Sequence, residues 1–184
     1  MLVFGGYSVD EYTPDGPEGS LSADAFLLRP AEETWLPLQP SGARPTPRSL
    51  HAAVLLTDAS GPSEAAGRSR APLRVAVFGG WGIPRREMNA GQKGSRIAAA
   101  DYFNDLYILT LDPLVEGLCR WAELQPPGPP PSPRAGAAAI ATVDGGVLFF
   151  GGHAHASDRN GEEGVIELCA LPGPAVAQAE KAAV

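Results

Sequence analysis

The apolar positions of this chain fall into short runs, each closed by a turn signal. Three of them end in a glycine pair: Leu2-Val3-Phe4-Gly5-Gly6, Val75-Ala76-Val77-Phe78-Gly79-Gly80 and Val147-Leu148-Phe149-Phe150-Gly151-Gly152. Runs this short, rich in β-branched and aromatic residues, predict strands. The glycines predict the strand exits, where the backbone needs positive φ or packing without a Cβ. A second strand is predicted after each: Asp24-Ala25-Phe26-Leu27-Leu28, then Asn104-Asp105-Leu106-Tyr107-Ile108-Leu109, and more weakly Val165-Ile166-Glu167-Leu168-Cys169. No segment holds a helical period over its length, so helical repeats are excluded.

A third element gives the sharpest match. Trp35-Leu36-Pro37-Leu38-Gln39-Pro40 aligns with Trp121-Ala122-Glu123-Leu124-Gln125-Pro126. Pro47-Arg48-Ser49-Leu50-His51-Ala52-Ala53-Val54 then aligns with Pro133-Arg134-Ala135-Gly136-Ala137-Ala138-Ala139-Ile140. The offset is 86 residues throughout, without a gap. Other spacings vary, and the excess falls in residues 57–72 and 81–102, which read as insertions at strand connections. A full period then holds four strands: one after the Pro-Arg pair, one ending in Gly-Gly, one opening on Asp, and one carrying the Trp. Four short antiparallel strands per period, with periodic glycines and aromatics, is the pattern of β-propeller blades.

With these residues in view, the chain resembles the kelch-repeat family. Val77-Phe78-Gly79-Gly80, Asn104-Asp105-Leu106-Tyr107, Trp121 and Pro133-Arg134 form one complete match, and the resemblance spans residues 2–169. It departs in the last copy, where Gly136-Ala137 replaces Leu50-His51. The fold expected is all-β: kelch-type propeller blades of four antiparallel strands in an incomplete ring. The units expected are a partial blade over 1–47, a full blade over 48–133, a partial blade over 134–170, and an Ala-rich disordered tail over 171–184. Counting strands gives three, four and three, too few to close a ring. The expectation is therefore a piece of a longer product, or a chain completed by further blades, by self-association or by a partner. The resemblance implies a non-catalytic protein–protein interaction module. The alternative is an accessory propeller segment of a larger multidomain enzyme or signalling protein.

Composition narrows this further. Gly 22 and Pro 19 in 184 residues force frequent turns and disfavour long helices. The net charge of −7 argues against general nucleic-acid binding. Its sign is uneven: residues 1–40 carry −6, residues 41–100 carry +6 and residues 101–184 carry −7. The densest basic stretch holds Arg85, Arg86, Lys93 and Arg96, a candidate loop for docking an acidic protein partner. Cys119 and Cys169, 50 residues apart, form neither a disulfide framework nor a CxxC pair. With no basic segment leading into an apolar run and cleavage site, and no run of membrane-spanning length, the expectation is a cytoplasmic protein away from membranes.

Few residues suggest chemistry. His153-Ala154-His155 with Asp158 is the one metal-like cluster, and Glu162 and Glu163 could add oxygen, but the histidines follow Gly-Gly into a loop, whereas transition-metal sites need three or four ligands of fixed geometry. His51 follows Arg48 without an evident nucleophile. Gly91-Gln92-Lys93-Gly94-Ser95 has the wrong order for a phosphate loop. No catalytic, metal or cofactor residues are assigned. The positions singled out are structural: Gly5, Gly6, Asp24, Trp35, Arg48, Gly79, Gly80, Asp105, Tyr107, Trp121, Arg134, Gly151 and Gly152. Trp35 and Trp121 are expected in the core, and Arg48 and Arg134 to pair with Asp24 or Asp105.

Overall fold

A computed structural model describes residues 1–13, 16–56, 72–84, 101–112, 114–154 and 168–171. Among these the secondary structure is all β, in several antiparallel sheets with no helix. The first sheet holds β1 (Leu2–Thr13), β2 (Gly16–Arg29) and β3 (Thr34–Leu38) in that order. The short β4 (Ser41–Gly42) and β5 (Arg48–Ser49) lead into a central antiparallel sheet. Its body is β6 (Ala52–Leu56), β7 (Leu73–Gly82), β8 (Asp101–Leu111) and β9 (Cys119–Leu124), each paired with the next. The two-residue β10 (Arg134–Ala135) precedes a third sheet of β11 (Ala138–Ala141), β12 (Val147–Phe150) and β14 (Leu168–Leu171); β10 pairs with β13 (His153–Ala154).

One feature differs from the sequence reading. Of the three runs, only β12 ends at its glycine pair, stopping at Phe150 before Gly151-Gly152; the first two strands do not exit at theirs. β1 and β7 run through them, with register shifts between Phe4 and Gly6 and between Phe78 and Gly80. Left-handed glycines insert a bulge and bend the hairpin instead of ending it. β7 accordingly continues to Gly82 against Asp101 of β8, inside the segment read as an insertion. Strand pairing also crosses between the expected units. β4 lies within residues 1–47 yet pairs, in parallel, with Arg120 and Trp121 of the central sheet. Leu171, expected in the tail, pairs with Val147. The tail beyond it and most of the two insertions lie outside the described residues.

Strand alternation gives the central sheet two apolar faces. One face carries Val77, Tyr107, Leu109 and Trp121, buried against Phe4, Ala25 and Leu38 of the first sheet. There the Trp121 ring stands 5.0 Å from Phe4 and edge-on, at 89°, to Tyr107. The opposite face carries Ala52, Ala76, Phe78, Leu106, Ile108 and Leu124, buried against Val147 and Phe149 of the third sheet. Phe78 and Phe149 meet with ring centroids 4.5 Å apart, within the range of favourable aromatic pairs. The central sheet is thus held between the other two.

This arrangement corrects the expectation for Trp35. Trp121 is 1% exposed, whereas Trp35 is 49% exposed. Both sit at matching places: Trp35 pairs across to Leu28, Trp121 to Leu109. The difference lies in what covers the face. Trp121 is roofed by the first sheet, while Trp35 points to the outer side of that sheet, beside the exposed Phe26 and Val3. A matching position in sequence fixes direction, and burial needs a neighbour as well.

The two tryptophans should therefore respond differently to truncation. Trp121→Ala should cost about 3–5 kcal/mol. Trp35→Ala in dilute solution should cost under about 1 kcal/mol. Urea unfolding followed by circular dichroism measures both, and equal losses would contradict the burial pattern.

Candidate functional site

Arg48 is a fully bonded buried charge. It is 0% exposed, on β5 where that strand meets the Gly-Gly bulge of β7. All five of its N–H donors are used. Nη1 donates to Asp105 Oδ1 at 2.6 Å and to the Gly79 carbonyl at 3.0 Å. Nη2 donates to Asp105 Oδ2 at 2.8 Å and to Thr46 Oγ1 at 3.2 Å, and Nε to the Thr46 carbonyl at 3.1 Å. The guanidinium lies 4.3 Å above the Phe103 ring and 5.5 Å from Tyr107. A planar fork bonding a carboxylate at two points while stacked on a ring is a role lysine cannot fill.

Arg134 sits in a matching frame. Nη1 donates to the Gly151 carbonyl at 2.7 Å, Nη2 to Ser132 Oγ at 2.6 Å and Nε to the Ser132 carbonyl at 3.1 Å. Thr46 and Ser132, two residues before each arginine, thus have the same task. Sequence reasoning passed over them, although the hydroxyls were visible at the same 86-residue offset. Asp24, the other carboxylate considered, does not meet Arg48; it accepts from the Ser22 hydroxyl at 2.9 Å.

The first glycine of each pair has a reason beyond its φ of 62–69° at Gly5, Gly79 and Gly151. A methyl group on Gly5 would stand 2.6 Å from the Arg48 carbonyl oxygen, and one on Gly79 would stand 2.8 Å from that of Arg134. Each of these two glycines lets its sheet close on the arginine backbone that opens the next. The turn after each arginine is also shared. Gly136 has φ of 71°, while Leu50, at the matching place, is held at 55°. Holding a leucine there costs roughly 1–2 kcal/mol. The Leu50 carbonyl accepts a 2.8 Å hydrogen bond from Gly136 N–H, tying the two turns together.

His51 follows this strained turn and is packed between sheets, 5.2 Å from the Phe4 ring. Its Nδ1 is buried without a hydrogen-bond partner among the described residues. Burial first, and then the nearby Arg48 charge, depress its pKa to about 4. It has the surroundings of a neutral packing group.

Among the described residues, a groove of about 400 Å³ at the edge of the central and third sheets has room for a ligand. Phe78, Leu106, Leu124 and Phe149 form its floor. Asp105 and Glu123 also border it, and residues 126–131 form the far wall. That wall is the proline-rich approach to Arg134, pinned where Asn104 Nδ2 donates to the Pro131 carbonyl at 3.1 Å. Pro127, Pro129 and Pro130 are exposed. A run of prolines resists collapse and keeps the wall extended. The sequence showed the prolines but not the groove, because its floor comes from strands of two sheets.

The proposed docking residues Arg85, Arg86, Lys93 and Arg96 lie outside the described residues, as do His155, Asp158, Glu162 and Glu163. His153, on β13, packs edge-on to Tyr102 at 5.6 Å. Among the described residues no three His, Cys, Asp or Glu side chains gather as metal ligands, and no helix is long and apolar enough to cross a membrane. No protein-family model matches the chain.

Two outcomes are expected. Asp105→Asn should destabilise by about 3–5 kcal/mol, since it leaves the buried guanidinium without its counter-charge. In the Asp105→Leu/Arg48→Met pair the loss should be smaller than in either single variant, measured by urea unfolding. The second outcome concerns pH. Unfolded His51 takes a proton below about pH 6.5. Folded His51 stays neutral down to about 4. The unfolded chain binds more protons across that window, so stability falls as pH drops from about 6.5 to 4, by at most about 3 kcal/mol from this group. The difference in pH profile between wild type and His51→Gln isolates it, and parallel profiles would exclude the mechanism.

Proposed function

We propose that this chain is a non-catalytic protein-interaction module built from kelch-type propeller blades, binding an extended segment of a protein partner in the groove beside residues 126–131. In this reading β6 to β9 are one full blade, and the first and third sheets are partial blades. Supporting it are the matched bulges at Gly5-Gly6 and Gly79-Gly80 and the matched frames of Arg48 and Arg134. These absorb the recurring charged and glycine positions into architecture and leave the connections to carry recognition.

The observation that carries the functional reading is the groove itself. It has an apolar floor, the acidic residues Asp105 and Glu123 on its border and a stiff proline wall. A concave apolar site with a few placed polar groups is the usual form of a recognition site. The Asp105 carboxylate is already engaged by Arg48, so Glu123 is the acid free to select a basic residue in the partner. Apolar side chains of the segment would reach toward Leu106 and Leu124. The free thiol of the buried Cys119 fits a reducing, cytoplasmic setting.

Selection of a displayed random-peptide library on the folded chain tests this. Enriched peptides should pair a basic residue with nearby apolar ones. Their affinity should fall at least about tenfold, or 1.4 kcal/mol, on Glu123→Lys or on replacing Pro129 and Pro130 by Ser. No enrichment, or binding that both variants leave unchanged, would overturn the groove as the site.

A further inference from the structure

The two outer faces of the assembly are not alike, and each matches one half of an interface already made inside the chain. On the first sheet the outer face presents Val3, Phe26 and Trp35, exposed at 39%, 36% and 49%. By pairing, these stand where Val77, Tyr107 and Trp121 stand in the central sheet: Val3 faces Phe26, as Val77 faces Tyr107. The central trio is buried, roofed by the first sheet. On the third sheet the outer face presents Ile140, Leu148 and Phe150, which border a shallow apolar depression. Those positions match Val54, Ala76 and Phe78 of the central sheet, since Leu148 pairs with Ile140 as Ala76 pairs with Val54. In the central sheet that trio lies in or against the core shared with the third sheet. Ile140 and Phe150 are instead 57% and 50% exposed.

The glycine contacts say the same. Gly5 and Gly79 each abut an arginine carbonyl of the following sheet, whereas a methyl group on Gly151 would meet nothing within 4 Å. The third sheet thus ends in a surface of the kind that, twice within the chain, receives a following sheet. The first sheet ends in a surface of the kind that, twice within the chain, is laid onto a preceding one.

We propose that two copies of this chain associate head to tail, the outer face of the third sheet of one copy seated on the outer face of the first sheet of the next. The interface is heterologous: the two patches differ, so each copy keeps one patch free for another partner. Association therefore continues past the dimer, into a closed ring if the rotation allows and an open array if it does not. The proposal extends the blade reading to contacts between chains. It does not involve the groove, so peptide selection and self-association can fail separately.

Sedimentation equilibrium on wild type and two variants tests it. Trp35→Glu blocks only the first-sheet face and Phe150→Glu only the third-sheet face. Both residues are half exposed, so folding should survive, as circular dichroism would check; Phe26→Lys and Ile140→Lys serve as a second pair if it does not. Wild-type mass should rise with concentration beyond that of a dimer. Each variant alone should remain a monomer. Their equimolar mixture should double in mass and stop there, because one good face of each kind remains. A wild type that stays monomeric, a single variant that still dimerises, or a mixture that stays monomeric would each overturn the head-to-tail arrangement.

Discussion

A small sheet with apolar side chains on both faces has no stable existence alone in water, and this constraint organises the molecule. The central sheet is the clearest case. Trp121, Tyr107 and Leu109 need a cover on one side, Phe78 and Ile108 on the other. Burial of this kind is worth about 25 cal/mol per Å². It must offset an ordering cost of about 1–2 kcal/mol for each residue fixed. Neither outer sheet is an accessory under those terms, since each supplies half of a core that the central strands cannot complete.

Hydrophobic contact alone would not decide how the sheets sit on one another, because it is weakly directional. Direction comes from the polar frame around Arg48. One guanidinium, itself fully buried, joins β5, the bulge of β7, and β8 through the partly buried Asp105. Such a buried pair adds little net stability compared with a well-packed apolar substitute. Its contribution here is positional: a slip of one residue in any of the three strands breaks several bonds at once. His51 belongs to the same corner. The apolar cover first, and then the field of the arginine, keep its imidazole neutral, so the corner carries no second positive charge.

Much of this was legible in the residues, because the features involved are local. Short β-rich runs, paired glycines and Pro-Arg spacing announced the strands and their approximate ends. What escaped was whatever depends on two distant segments at once. Trp35 and Trp121 share a downstream Leu and Gln-Pro at the same spacing, yet only one has a sheet laid over it. The choice between Asp24 and Asp105 as partner of Arg48 depends on which hairpin folds beside β5. The parallel contact of Ser41 and Gly42 with β9 carries no residue signature at all. Reading the first two glycine pairs as exits failed for a subtler reason: positive φ serves a bulge as well as a turn, and only the continued pairing beyond it tells them apart.

The contact of Gly5 with the Arg48 carbonyl, repeated between Gly79 and Arg134, is made of main-chain atoms and a missing side chain. The step from one sheet to the next is therefore measured by the peptide backbone, whose dimensions are the same in every protein. Residues in the loops can lengthen, shorten or change character without altering that step. Duplicating a unit of this design would add a further sheet at the same pitch, with no fresh fitting of side chains at the joint. The geometry is inherited with the motif, and the connections are left open to divergence.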